Sequence, residues 1–319
     1  MASFAGKRIV VFGGAGFVGS HLCDRLLADG AHVVAVDNLC TGARANLAQW
    51  SREPRFELLE RDVTQPVMIA GTVNVVFNLA SPASPLDYQK LWLETMRAGA
   101  LGTQHALELA EAKGAVMVQA STSEIYGDPI VHPQVESYTG NVDCTGPRAV
   151  YDEAKRYGEA LVMAFARHRG VATRIARIFN TYGPRMRLDD GRVVPAFVAQ
   201  ALTGQDFTVF GDGSQTRSFC YVEDMVDGLV RLSLSDVTGP VNLGNPEERT
   251  IRQFAEVVRR VAGSGGQIVE RPLPQGDPKV RRPDITRAKT LLGWTPKVGL
   301  EEGLQATIAY FRGVVRGAR

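Results

Sequence analysis

Short apolar runs recur along the first half of the chain, separated by longer stretches that are apolar on one face only. KRIVVF (7–12), AHVVAV (31–36), FELLE (56–60), VNVVFNLA (73–80) and AVMVQA (115–120) have the composition of strands. FVGSHLCDRLLADG (17–30) and the segment near 91–112 repeat apolar residues at helical spacing. Apolar strands alternating with helices predict a parallel sheet covered on both faces, an α/β doubly wound domain. A helix, YDEAKRYGEALVMAFARHR (151–169), and a strand, ATRIARI (172–178), continue the alternation.

Past residue 180 the loops lengthen and carry Gly, Pro and Arg: NTYGPRMRLDDGR, VFGDGSQTRSF and PLPQGDPKVRRPD. Helices are predicted at 223–234, 251–262 and 300–315. This divides the chain into a first α/β domain, residues 1–180, and a smaller α/β lobe, residues 181–319, with some strands and helices exchanged between them. A loop-lined cleft is expected between the two.

Composition changes this picture little. Hydrophobic residues are 45% and charged residues 22%, and a net charge of +2 gives no basis for a nucleic-acid partner. Cys23, Cys40, Cys144 and Cys220 form no C-x-x-C pair, and with the five histidines they show no metal-ligand spacing. No metal and no disulfide framework is expected, so a reducing cytoplasm is the expected location. The apolar start is soon broken by glycines and is too short to span a bilayer, so no membrane association is expected.

The chemistry begins at GGAGFVG, which follows the first strand and opens the first helix. Gly13, Gly16 and Gly19 are spaced G-x-x-G-x-x-G. Without Cβ atoms such a turn lets pyrophosphate approach the backbone, where a helix N-terminus offers N–H groups and a positive dipole end. Asp37 ends the second strand 18 residues past Gly19, where a carboxylate can accept both ribose hydroxyls. An acid there disfavours the 2′-phosphate of NADP, so NAD is the expected cofactor; the plain alternative for Asp37 is a strand-end turn.

YDEAK places Tyr151 and Lys155 four apart on one helix face. A nearby ammonium would lower the phenol's pKa and make Tyr151 a usable base. The pair becomes specific behind a glycine fingerprint and a strand ending in Ser or Thr, and ASTSEIYGDP (120–129) supplies that ending. Its Thr122, Ser123 and Glu124 are either turn residues or groups that meet a substrate.

Taken together these motifs resemble the extended short-chain dehydrogenase/reductase family of nucleotide-sugar epimerases, dehydratases and decarboxylases. The likeness to its UDP-glucuronate decarboxylase branch is carried by GGAGFVGSHL, VDN (36–38), NLASPASP (78–85), STSEIYGDP, VHPQ, GPRAVYDEAKR, RIFNTYGPRM, DDGRVV, GSQTRSF, VNLGNPEE and RRPDI. The resemblance implies a Rossmann domain, a homodimer, and NAD that stays bound and is recycled within each turnover. It implies cofactor contacts from Phe17, Val18, Asn38, Thr41, Gly42, Asp62, Val63, Leu79, Ser81 and Ala120 as well as the residues above. It implies catalytic roles for Thr122, Ser123, Glu124, Tyr151, Lys155 and Arg281, the last contacting a sugar carboxylate or donating a proton. Tyr88, Asn180, Arg185, Arg192, Gln215 and Arg217 are implied in holding the UDP-sugar. Without the resemblance Arg281 reads as part of a solvated basic loop.

One segment departs from the branch. Where it usually reads K-T-N-x-x-G-T, this chain has Arg97-Ala98-Gly99-Ala100-Leu101-Gly102-Thr103. The missing side chains are expected to loosen the hold on cofactor or keto intermediate and to let some UDP-4-keto-xylose escape, with Asn at 99 restoring retention. Two other activities fit parts of the pattern. A UDP-glucuronate 4-epimerase would keep the carboxylate, and an NAD-binding module without catalysis would not need Thr122, Tyr151 and Lys155. A dehydratase is disfavoured by Ser123, where that branch carries Asp.

Overall fold

The computed structural model describes residues 4–272 and 280–317, so residues 273–279 of the expected 272–284 loop lie outside it. Among the described residues the centre is a seven-stranded sheet. Its strands are β1 (Arg8–Phe12), β2 (His32–Asp37), β3 (Phe56–Glu60), β4 (Val75–Asn78), β5 (Val116–Thr122), β6 (Thr173–Ile178) and Pro240–Leu243. They lie in the order β3-β2-β1-β4-β5-β6-(240–243), every neighbouring pair parallel.

Successive residues serve opposite faces. Val10, Phe12, Val34, Val76 and Met117 pack into one buried cluster, while Ile9, Val11, Val33, Phe77 and Val118 pack into the other. Both faces are therefore dry, which is why these strands read as continuous apolar runs. Each fully buried Val or Phe contributes about 1.5–3 kcal/mol relative to exposure. Helix α1 (Phe17–Ala28) follows β1 directly.

The sheet is not completed within residues 1–180. Its last strand, Pro240–Leu243, pairs with β6, and the helix Val222–Ser233 packs on α1, β5 and β6. The remaining lobe centres on Val193–Thr203, Ile251–Ala262 and Leu300–Gly317, with Phe219 stacked on Phe254 at 4.2 Å. Thr250 and Gln253 form a capping box that starts the second of these helices.

The single helix expected near 91–112 is broken. After α2 (Pro85–Lys90) come α3 (Trp92–Arg97), a π-helical turn (Ala98–Gly102) and α4 (Thr103–Lys113). The turn sits where two glycines let neighbours close in: a Cβ on Gly99 would lie 2.7 Å from the Ala154 Cβ, and one on Gly102 3.0 Å from Val63. Ala154 belongs to α5 (Ala149–Arg169), the helix that carries Tyr151 and Lys155.

Candidate active site

The candidate cofactor end is made mostly of backbone. Gly13 has φ +77°, and a Cβ there would meet the Ala80 nitrogen at 2.8 Å; one on Gly19 would overlap the Gly13 carbonyl oxygen. The turn thus brings β1, α1 and β4 together as no other residue could. Gly16 caps α1, no side chain bonds into the helix start, and its first turn holds no acid. Phe17, Val18 and Gly19 form that turn, which suits a diphosphate.

Gly13, Gly16, Asp37, Asn38, Thr41, Asp62, Val63, Leu79 and Ser81 line one cleft. Asp37 is buried and accepts from the Ala15 N–H at 2.9 Å and the Leu39 N–H at 2.8 Å. Burial pushes its carboxyl up, against the pull of the Leu39, Ala15 and Gly16 N–H groups. Asn38 donates to Asp62 at 3.3 Å, and Gly42 fits tightly beside Ala15 and Asp37. The polar cleft, the tight glycine turn and the open helix start all fit a dinucleotide. Sequence reasoning missed Cys40, Thr64 and Glu94, which also line the cleft, as does Arg97 of the departing segment. Nothing local in the sequence marks them; topology brings them there.

The chemical end is made of side chains. The Thr122 hydroxyl accepts from the Glu124 N–H at 3.2 Å and hydrogen-bonds the Tyr151 phenol. Ser123 is buried in the same turn. Tyr88 stacks on Tyr151 at 5.1 Å and lies close enough to Arg281 to act on its charge. Arg281, buried, donates to one Glu124 oxygen and to the Gly127 carbonyl at 3.2 Å; Arg148 donates to the other Glu124 oxygen. Arg148, which caps α5, is a further residue that sequence reasoning passed over, although it stands in the quoted GPRAVYDEAKR.

Electrostatics correct one expectation. Lys155 donates to the Ala120 carbonyl at 2.9 Å and lies 5.7 Å from the Tyr151 ring centre, yet the phenol is pushed up to about 12. Burial causes this, and the Thr122 hydrogen bond offsets only part of it. Burial likewise pushes Lys155 down to about 8 and Arg281 to about 10. In the protein alone, desolvation outweighs the pull of the Thr122 hydroxyl and the Arg192 charge on the phenol.

The arginines of the second lobe are already engaged. Arg192 pairs with Asp190 and its charge reaches Tyr151. Arg217 is buried and donates to the Thr216 carbonyl, and Gln215 donates to the Phe210 carbonyl, each at 2.8 Å. The Asn180 carbonyl accepts from the Cys220 N–H at 2.9 Å. Arg185 stands apart: it turns back onto α1 and pairs with Asp24 at 2.7 Å.

A parallel sheet in this order, a glycine turn on the first helix and a buried Tyr-x-x-x-Lys pair beside Thr122 define a dinucleotide-dependent enzyme acting on a small molecule. Residues 9–244 match the model of the NAD dependent epimerase/dehydratase family, and the chain belongs to it. The chain is 52% identical over 306 residues to UDP-glucuronic acid decarboxylase 1 of Xenopus tropicalis, covering 96% of this chain and 72% of that one. It is 50% identical over 306 residues to UDP-glucuronic acid decarboxylase 5 of Arabidopsis thaliana, covering 96% and 89%. Among solved structures, UDP-glucuronic acid 4-epimerase from Bacillus cereus, in complex with UDP-glucuronic acid and NAD, aligns at TM-score 0.85 and 28% identity, over 96% of this chain and 99% of that one. UDP-glucose 4-epimerase from Thermotoga maritima, with UDP-glucose, aligns at 0.89 and 30%, over 97% and 99%. No helix among the described residues is long and apolar enough to cross a membrane.

Proposed function

We propose that this chain is a UDP-glucuronate decarboxylase that uses NAD and forms UDP-xylose. The observation that carries this is Arg281, a buried cation beside the Tyr88–Tyr151 stack, where a sugar's C6 carboxylate would find a partner. NAD, when bound, supplies a reversible hydride acceptor and, in its oxidised form, a positive charge. Gly13, Gly16, the first turn of α1 and Asp37 are the residues that would hold it.

Tyr151, as the phenolate that the Lys155 ammonium and the positive charge of oxidised NAD would favour once the cofactor is bound, takes the proton of the C4 hydroxyl as C4 is oxidised. The 4-ketone is β to the C6 carboxylate, so the C5–C6 bond can break with its electron pair passing into an enolate, releasing CO₂. The Tyr151 phenol, whose neutral form burial favours, and the Thr122 hydroxyl donate hydrogen bonds to the enolate oxygen. Protonation at C5 and return of hydride to C4 give UDP-xylose. Glu124 lies beside this path, held by its two arginines. Arg192, Arg217, Asn180 and Gln215 are proposed UDP contacts; the Asp24 pairing of Arg185 favours a structural role for it instead.

A fraction of UDP-4-keto-xylose released before reduction belongs to the same proposal. A homodimer is supported by Trp92, Met96, Leu101 and Tyr157, exposed apolar residues on α3, the π turn and α5. Cytoplasmic residence is supported by the cysteines, which are free.

The test is a proton NMR time course with UDP-glucuronate and NAD. Loss of the H5 signal with new pentose signals establishes decarboxylation, and a hydrated 4-keto pentose marks early release. A hexuronate inverted at C4 makes the chain an epimerase, the second reading that the Bacillus cereus likeness favours. No change would leave the non-catalytic reading in possession.

A further inference from the structure

Glu124 is gripped by two guanidinium groups at once, Arg281 on Oε1 and Arg148 on Oε2. The three residues come from separate segments: the 3-10 turn after β5, the cap of α5, and the stretch that follows the second lobe's last strand. Their side chains grade from dry to open, with exposures of 4% for Arg281, 14% for Glu124 and 24% for Arg148.

Arg281 is short of acceptors. A guanidinium carries five N–H donors. One goes to Glu124 and one to the Gly127 carbonyl, while Nε is buried with no partner among the described residues. Glu124 is the carboxylate that neutralises it. A second carboxylate arriving at Arg281 would share one buried cation with Glu124, and like charges so placed repel. Either the newcomer is refused or Glu124 must move, and Arg148 already holds its other oxygen.

We propose that Glu124 is an internal counter-ion standing in for the substrate's carboxylate on Arg281, and that Arg148 is the positioning residue that takes Glu124 over when that carboxylate binds. This rests on the decarboxylase reading for the identity of the acid sugar. The exchange trades one ion pair for another, so it is open to a uronate and closed to a neutral hexose, which offers Arg281 nothing in return. The pair thereby selects acidic sugars without an added contact.

Binding separates this from a purely structural role. In a Tyr151→Phe background, which prevents turnover, the dissociation constants of UDP-glucuronate, UDP-glucose and UDP are measured by calorimetry with NAD present. Arg148→Gln should weaken UDP-glucuronate roughly 10-fold or more and leave UDP-glucose and UDP within about twofold. Arg148→Lys should recover most of that loss. Adding Glu124→Gln to Arg148→Gln should return UDP-glucuronate to within about threefold of the parent, because no counter-ion then needs a new home. Glu124→Gln alone should tighten UDP-glucuronate and not UDP, a result that stands even if Arg148→Gln fails to fold. Equal weakening of all three ligands, an unchanged constant in Arg148→Gln, or no recovery in the double variant would overturn the proposal. Decarboxylation by the unmutated enzyme is scored separately by NMR, so failure of the assigned reaction and failure of the exchange are distinguishable.

Discussion

Around the first glycine turn the protein presents backbone; around Tyr151 it presents side chains. The candidate cofactor end offers the N–H groups of a helix start, glycines where a Cβ would clash, and one carboxylate fixed by backbone N–H groups. The chemical end gathers Tyr88, Thr122, Glu124, Arg148, Tyr151 and Arg281 from four separate stretches. Backbone sites are set by a local turn and tolerate little change in shape. Side-chain sites are set by the whole fold, and they respond to charge more than to shape. The two ends should therefore fail in different ways.

The largest expected effect is at Tyr151. Removing its hydroxyl with Tyr151→Phe should lower kcat about 10³-fold, since proton transfer at C4 loses its agent. NAD binding, followed by fluorescence quenching, should stay within twofold, because the ring keeps its stack with Tyr88. A parallel loss of NAD affinity would break the division between the two ends. Gly19→Ala should do the reverse. Its methyl would overlap the Gly13 carbonyl oxygen, so the turn must open, and NAD affinity should fall roughly 10²-fold. With NAD at saturation kcat should recover to within a few-fold of the unmutated enzyme. A kcat that stays low under saturation would show that the turn also shapes the chemical end.

The same difference explains what could be read from the chain. Strand, glycine turn and helix are contiguous, so the spacing of Gly13, Gly16 and Gly19 together with the strand before and the helix after made the turn legible as a candidate cofactor site. That Tyr151 and Lys155 share a helix face was legible because four residues make about one helical turn, and the glycine turn and the strand ending at Thr122 made the pair a candidate site. Arg148 was not: three residues before Tyr151 it looks like any loop arginine, and only the fold sets it against Glu124. Nor was the retreat of Arg185, whose partner Asp24 lies on α1, far away in sequence. Pro240–Leu243 is four residues long and shows no pattern that assigns it to the sheet of the first half. The raised phenol of Tyr151 was not legible either, because a motif shows which charge is near but not how dry the site is.

Gly99 sharpens this further, since it lies between the two ends, on the turn that follows α3. Its departure from the branch looked like a lost side chain that Asn could restore. The structure leaves no room: a Cβ would meet the Ala154 Cβ at 2.7 Å and the Ala154 carbonyl oxygen at 2.9 Å. Gly99→Asn should therefore destabilise the protein by about 3 kcal/mol in urea unfolding, an overpacking cost and not a gain in product retention. Combining it with Ala154→Gly removes the nearer contact but not the carbonyl one, so about half the loss should return. An unchanged midpoint for the single variant would mean that α3 and α5 part easily.

The smallest expected effect tests how far burial alone governs the chemical end. Asp152 follows Tyr151 on α5, is buried, and leaves Oδ1 without a hydrogen-bond partner among the described residues. Burial pushes its carboxyl up to about 7, against the pull of Arg148. Between about pH 4 and pH 7 the folded state therefore binds more protons at this site than the unfolded chain, so its contribution to stability falls as pH rises and is fully lost above 7. Asp152→Asn removes the titration. Its stability relative to the unmutated protein should grow by about 2–3 kcal/mol from pH 5 to pH 8, measured as the difference between two urea midpoints at each pH. Asp152 also raises the Tyr151 phenol, so the same change should move the limb on which kcat rises with pH, as Tyr151 loses its proton, to slightly lower pH. A stability difference that is flat with pH would mean that Asp152 finds water or a partner on the α5 surface. Desolvation would then not be the force that sets the charges around Tyr151.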